Sequence, residues 1–136
     1  MKIDVTARVF VEIIPSKKLR ALLTRDYRFS INDRAGIIPA GFETDFASSP
    51  PSVWFLIPPV GKYLKAALIH DYFYSKQQFA GQPCSKEYAD EVFYDIMVHE
   101  GVAGWRRKIM YTAVKYFGQS RWNKCLIKNQ DEECFR

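Results

Sequence analysis

The sequence predicts an α+β domain: a small N-terminal antiparallel sheet followed by a cluster of three to four helices. Two observations predict it. Residues 3–38 hold β-branched, partly alternating runs broken by turn residues. From residue 61 onward, apolar residues recur at helical spacing instead. Strands first and helices after, rather than the two in alternation, is the order of a segregated α+β fold.

Taken in order, residues 3–14 read as a strand that Pro15-Ser16 breaks. Within residues 18–31, Tyr27, Phe29 and Ile31 alternate with charged or small residues, which makes a second strand. Asn32-Asp33-Arg34-Ala35-Gly36 has turn chemistry, and Ile37-Ile38-Pro39 resumes a short third strand. Residues 39–51 then form a polar loop that caps a short helix beginning near Pro50 or Pro51. The apolar knot Val53–Ile57 belongs to that helix. A second helix covers about 61–77, a turn follows at 78–83, and a third helix from Ser85 ends at Gly101. The last helix is expected from Trp105 to Phe117 with Gly118 closing it. Its inward residues are Trp105, Ile109, Thr112, Ala113, Tyr116 and Phe117. The tail from Ser120 is expected to be surface-bound or frayed.

Length fits one domain over all 136 residues: 1–40 mainly β, 41–60 polar loop and short helix, 61–118 helical, 119–136 tail. The hydrophobic fraction of 48% excludes a disordered chain. The net charge of +5 comes from interspersed residues, so no specific nucleic-acid surface is expected. The densest basic run, Arg106-Arg107-Lys108, reads as a solvated helix face, with a phosphate or lipid-surface contact as the alternative. No apolar run is long enough for a signal peptide or a membrane span. The cysteines, Cys84, Cys125 and Cys134, are odd in number and lack metal-type spacing. They suit a reducing compartment and give no disulfide framework. The chain is therefore expected to be made and folded in a cytoplasm.

One stretch carries chemistry. His70 and Asp71 sit side by side in the apolar segment Leu64–Tyr74, where burial is costly unless their hydrogen bonds are met. Neighbours on a helix point about 100° apart, so the two need not serve one atom. Tyr74 shares the face of His70, one turn on. Asp90 lies at the border of the apolar stripe of the next helix. The expected catalytic set is His70 as base, Asp90 as the carboxylate that fixes its tautomer, and Tyr74. Asp71, pointing elsewhere, is free to ligate calcium or magnesium, with Asp45 as a second ligand. The same residues also read as a structural clasp between two helices. Ser48 and Ser49 lack the pattern of a nucleophile elbow. His99 has no second histidine at zinc-site spacing, and reads as favourable charge at a helix end.

The motifs Pro39-Ala-Gly-Phe-Glu-Thr44-Asp45-Phe-Ala-Ser48-Ser49-Pro50, Ala66-Ala-Leu-Ile-His70-Asp71-Tyr-Phe-Tyr74 and Ala89-Asp90-Glu-Val-Phe93 resemble a domain family of unknown function common in tailed phages and prophages. That resemblance covers residues 41–117 and implies a phage or prophage origin. Synthesis would then be in the host cytoplasm, with the virion as a destination and other particle proteins as partners. The His70–Tyr74 segment followed by Ala89-Asp90 is also similar to the dyad region of secreted phospholipases and the parvovirus capsid lipase domain. This second resemblance implies a water-activating His70, a calcium-binding Asp71, an orienting Asp90 supported by Tyr74, and a lipid or ester substrate. Ile57-Pro-Pro-Val-Gly61 departs from it, because those enzymes use a glycine-rich calcium loop there. Phosphohydrolases named for a His-Asp doublet need an upstream histidine that this chain lacks. Two functions follow as expectations: a hydrolase-like domain cleaving esters or phosphoesters, or a non-catalytic, tail-associated component of a phage particle.

Overall fold

A computed structural model describes residues 1–14, 20–44 and 63–128. The expected Asp45 ligand, the loop serines and the short helix at 50–57 lie outside the described residues. The described strands are β1 (Ile3–Asp4), β2 (Val11–Ile14), β3 (Arg20–Leu23), β4 (Tyr27–Ile31), β5 (Arg34–Ile38) and β6 (Glu43–Thr44). They form two three-stranded antiparallel sheets, in the orders β1-β4-β5 and β2-β3-β6. The helices are α1 (Leu64–Lys76), α2 (Lys86–His99) and α3 (Gly104–Lys128). A two-stranded ribbon, β7 (Gln78–Phe79) with β8 (Gln82–Pro83), joins α1 to α2. The α+β reading holds. The single expected strand at 3–14 is two strands in different sheets, and so is the one at 18–31.

Local chemistry explains the strand pairing. Asn32 and Asp33 take positive φ angles of 52° and 63°, the geometry of a two-residue hairpin loop whose twist matches its strands. That turn sets Tyr27 against Ile38 and Phe29 against Gly36. Along β4 the side chains of Tyr27, Phe29 and Ile31 are buried while Arg28 faces water, the period-two pattern of a half-buried strand. Phe29 then meets Phe73 of α1 and Phe79 of β7 at ring-centroid distances of 6.1 and 5.7 Å. This aromatic cluster seats α1 on the first sheet. The second sheet presents Thr44, at the end of β6 and paired with Ala21, to α1.

The helix ends follow their sequence signals, with one exception. Ser85 caps α2 by accepting a bond from the Tyr88 amide at 3.1 Å. Gln77, at φ 55°, closes α1 through a bond from its amide to Phe73 O. The exception is Gly118, which does not terminate the last helix. Helix α3 runs on to Lys128, so residues 120–128 are helical rather than frayed. Of the expected inward residues, Ala113 is buried and Ile109 half-buried against the core, and the rest of the inward face is displaced. Met110, Ala113, Val114 and Gly118 are buried, whereas Trp105, Thr112, Tyr116 and Phe117 face solvent. Among the cysteines, Cys84 is a free thiol and Cys125 is disulfide-bonded. No helix among the described residues is long and apolar enough to cross a membrane.

The Phe29–Gly36 pair yields a test. A Cβ at Gly36 would lie 2.4 Å from Phe29 Cζ. Gly36→Ala must push a ring that is wedged against Phe73 and Phe79. Chemical denaturation should therefore show a loss of about 1–3 kcal/mol.

Candidate functional site

Helices α1 and α2 pack against each other with His70 and Asp90 facing across the seam. His70 Nε2 lies 2.8 Å from Asp90 Oδ1. The Tyr74 hydroxyl, one turn along α1, donates to the same oxygen at 2.8 Å. The other oxygen, Oδ2, accepts from Lys86 Nζ at 2.7 Å. Lys86 in turn donates to the Lys115 carbonyl of α3 at 3.2 Å. One carboxylate thus collects three donors from two helices and reaches the third through a lysine. Lys86 stands in the first turn of α2, where a helix dipole disfavours a cation. Asp90, four residues on, offsets that cost.

The remaining groups assemble on the other side of the imidazole. Asp71 Oδ1 lies 3.9 Å from His70 Nδ1, within Coulombic reach but beyond a direct hydrogen bond. Arg121 of α3 places Nη1 3.6 Å from the same Oδ1. Thr44 of β6 donates its hydroxyl to Asp71 Oδ2. The ring of His70 is packed between Tyr74 and Phe93, at centroid distances of 4.3 and 4.8 Å. Only 2% of His70 and 3% of each aspartate is exposed.

Both carboxylates stay ionised in this setting. Burial pushes each upward, but for Asp71 the Arg121 guanidinium, His70 and Thr44 outweigh it. For Asp90 the bonds from His70, Lys86 and Tyr74 do the same. Both end below the ordinary carboxylate value. Burial, and then the adjacent Asp90 charge, push the Tyr74 phenol far above its ordinary value, so it remains a donor. An ionised Asp90 requires a proton on Nε2. In the neutral imidazole this leaves the Nδ1 lone pair facing Asp71 and Arg121.

The structure therefore brings together four of the five expected residues, His70, Asp71, Tyr74 and Asp90; Asp45 is not described. Thr44, Lys86 and Arg121 complete the network and were not expected. The motif containing Thr44 was visible, but Lys86 and Arg121 look like ordinary surface bases in sequence. Gly118 was also misread. A Cβ there would come within 2.6 Å of the Tyr74 hydroxyl and 3.3 Å of its ring. The glycine gives that hydroxyl its space beside α3, and Trp122 meets the same ring edge-on at 5.1 Å. A hard cation at Asp71 would face a guanidinium 3.6 Å away and a carboxylate already engaged by Thr44. The described residues contain no group of three or more His, Cys, Asp or Glu side chains able to hold a metal ion. Asp45, the second expected ligand, lies outside those residues.

Comparison with known proteins adds a family. Residues 21–114 match the model of a family described as "Protein of unknown function (DUF1353)". A relative described as an uncharacterized protein, y4jT, from Sinorhizobium fredii is 36% identical over 104 residues. Those residues are 73% of this chain and 30% of the relative, so the chain spans less than a third of that protein's length. No solved structure matches.

Two outcomes test the network. Both aspartates have folded values below the ordinary 3.8, so their stabilisation is complete above that pH and fades as the pH falls through the lowered values. Denaturation curves across this acid range should show a smaller pH dependence for Asp90→Asn than for wild type. Gly118→Ala should displace the Tyr74 ring and cost about 1–3 kcal/mol. Adding Tyr74→Phe, which removes the clashing oxygen, should recover part of that loss.

Proposed function

The chain belongs to the DUF1353 family, and we propose that it is a hydrolase-like domain in which His70 is the general base for ester or phosphoester cleavage. The carrying observation is the 2.8 Å contact between Asp90 and Nε2, which directs the other ring nitrogen toward Asp71 and Arg121. In this reading Nδ1 takes a proton from water as the water oxygen attacks the carbonyl carbon or phosphorus. Asp90 stabilises the resulting imidazolium, and the proton passes to the departing alkoxide. Positive charge for the developing oxyanion comes from Arg121, in the place where calcium or magnesium was expected. The resemblance to phospholipase dyads supports the same roles for His70, Asp90 and Tyr74. It also favours an ester, with lipid esters as one class. The resemblance to phage and prophage domains supports a phage or prophage origin, and synthesis in a host cytoplasm.

A specific observation favours a second reading, the non-catalytic particle component. The dyad is almost wholly buried. In that reading the network is a clasp that rigidifies three helices.

Activity assays separate the two. A panel of nitrophenyl esters and phosphodiesters, assayed with a chelator present, should reveal turnover that His70→Gln lowers by about 100-fold or more. Arg121→Gln should lower it as well, while added calcium leaves it unchanged. No turnover on any ester, with His70→Gln and Asp90→Asn each losing stability, would support the clasp.

A further inference from the structure

The outward face of α3 is not used by the His70 site. Between Gly104 and Lys128 the helix carries four lysines and three arginines and no acidic residue. The next acids, Asp131, Glu132 and Glu133, come only after its end. Of the three arginines, Arg106 is half-buried over the Trp105 ring at 5.0 Å, and the other two turn inward. Arg107 donates to Val102 O at 2.7 Å and lies over the Tyr94 ring, and Arg121 turns toward Asp71. Lys108, Lys115 and Lys124 are exposed. Among them stand large exposed apolar side chains: Tyr116 is 71% exposed, Phe117 60%, Leu126 55%, and Trp105, beside the Arg106 guanidinium, 53%. Trp105 and Tyr116 are eleven residues apart, close to three helical turns, so they stand on one side of the helix. Lys108 and Lys115 both lie along one side of that line.

We propose that this face of α3 docks on an anionic lipid surface. Lysines in water beside exposed Trp, Tyr and Leu suit a boundary where ammonium groups meet acidic headgroups and apolar rings enter the interface. Each lysine held near an anionic leaflet adds attraction, and the aromatic side chains add apolar burial. Nucleic acid is the other polyanion to consider. Recognition of its phosphates favours the bidentate fork of arginine, yet Arg107 and Arg121 are turned inward here, Arg106 is stacked on Trp105, and the exposed bases are lysines. The inference does not depend on His70 being a base, because the docking face and the dyad lie on opposite sides of α3.

Vesicle sedimentation tests it with the full chain. Phosphatidylglycerol vesicles should pellet the protein and phosphatidylcholine vesicles should not, with binding lost as salt is raised. Lys108→Glu with Lys115→Glu should weaken that binding about tenfold or more. Trp105→Ala with Tyr116→Ala should weaken it at low salt, where charge alone is strongest. All four positions are exposed, so melting temperatures should stay close to wild type. Equal partition to both vesicle types overturns the proposal, as does unchanged binding in both double variants. Duplex DNA or RNA displacing the protein from vesicles at equal phosphate concentration also overturns it, by assigning the face to nucleic acid.

Discussion

Everything near the centre of this fold depends on one carboxylate. Asp90 accepts from His70 and Tyr74 of α1 and from Lys86 of its own helix. Lys86 extends the chain of bonds to the α3 backbone. Removing such a group would strand a buried lysine and a buried imidazole, and breaking a buried pair costs about 3–5 kcal/mol. The three helices are therefore held in register by a polar centre inside an apolar shell of Phe73, Phe93, Val92 and Ile96. An apolar core of the same volume would hold them as well or better, which is why a network of this kind suggests chemistry and not only packing.

The two sides of the imidazole are unlike. On the Nε2 side both oxygens of Asp90 accept and the contacts are short. On the Nδ1 side Asp71 Oδ1 stands 3.9 Å away and is shared with a guanidinium. One side fixes the ring and the other holds opposite charges close to a ring nitrogen. That asymmetry is the property a positioned base needs.

Much of this was legible in the chain. The doublet His70-Asp71 in an apolar helix, Tyr74 one turn on and Asp90 at the edge of the next stripe were enough to predict a shared site, because helical periodicity fixes which residues share a face. Alternation along Tyr27, Phe29 and Ile31 predicted β4, and turn residues predicted its hairpin. What was not legible depended on distant packing. Gly118 looks like a helix stop because glycine usually is one at that spacing; its role is to clear space for the Tyr74 hydroxyl, which lies 44 positions earlier in the chain. Reading α3 as ending there placed Trp122 and Arg121 in a tail, and so hid a cationic member of the site. The inward face of α3 was also misassigned in part, since Trp105 and Tyr116 are apolar by composition but solvent-facing by position.

The central claim is that Asp90 holds the proton on Nε2 and leaves Nδ1 as the basic nitrogen. Long-range proton–nitrogen correlation of the imidazole side chains measures this directly, and with only His70 and His99 in the chain a His99→Gln variant assigns the signals. For the neutral imidazole of His70 the account predicts a protonated Nε2 and an unprotonated Nδ1, with that preference weakened in Asp90→Asn. A protonated Nδ1, or a tautomer ratio that Asp90→Asn does not change, would contradict it.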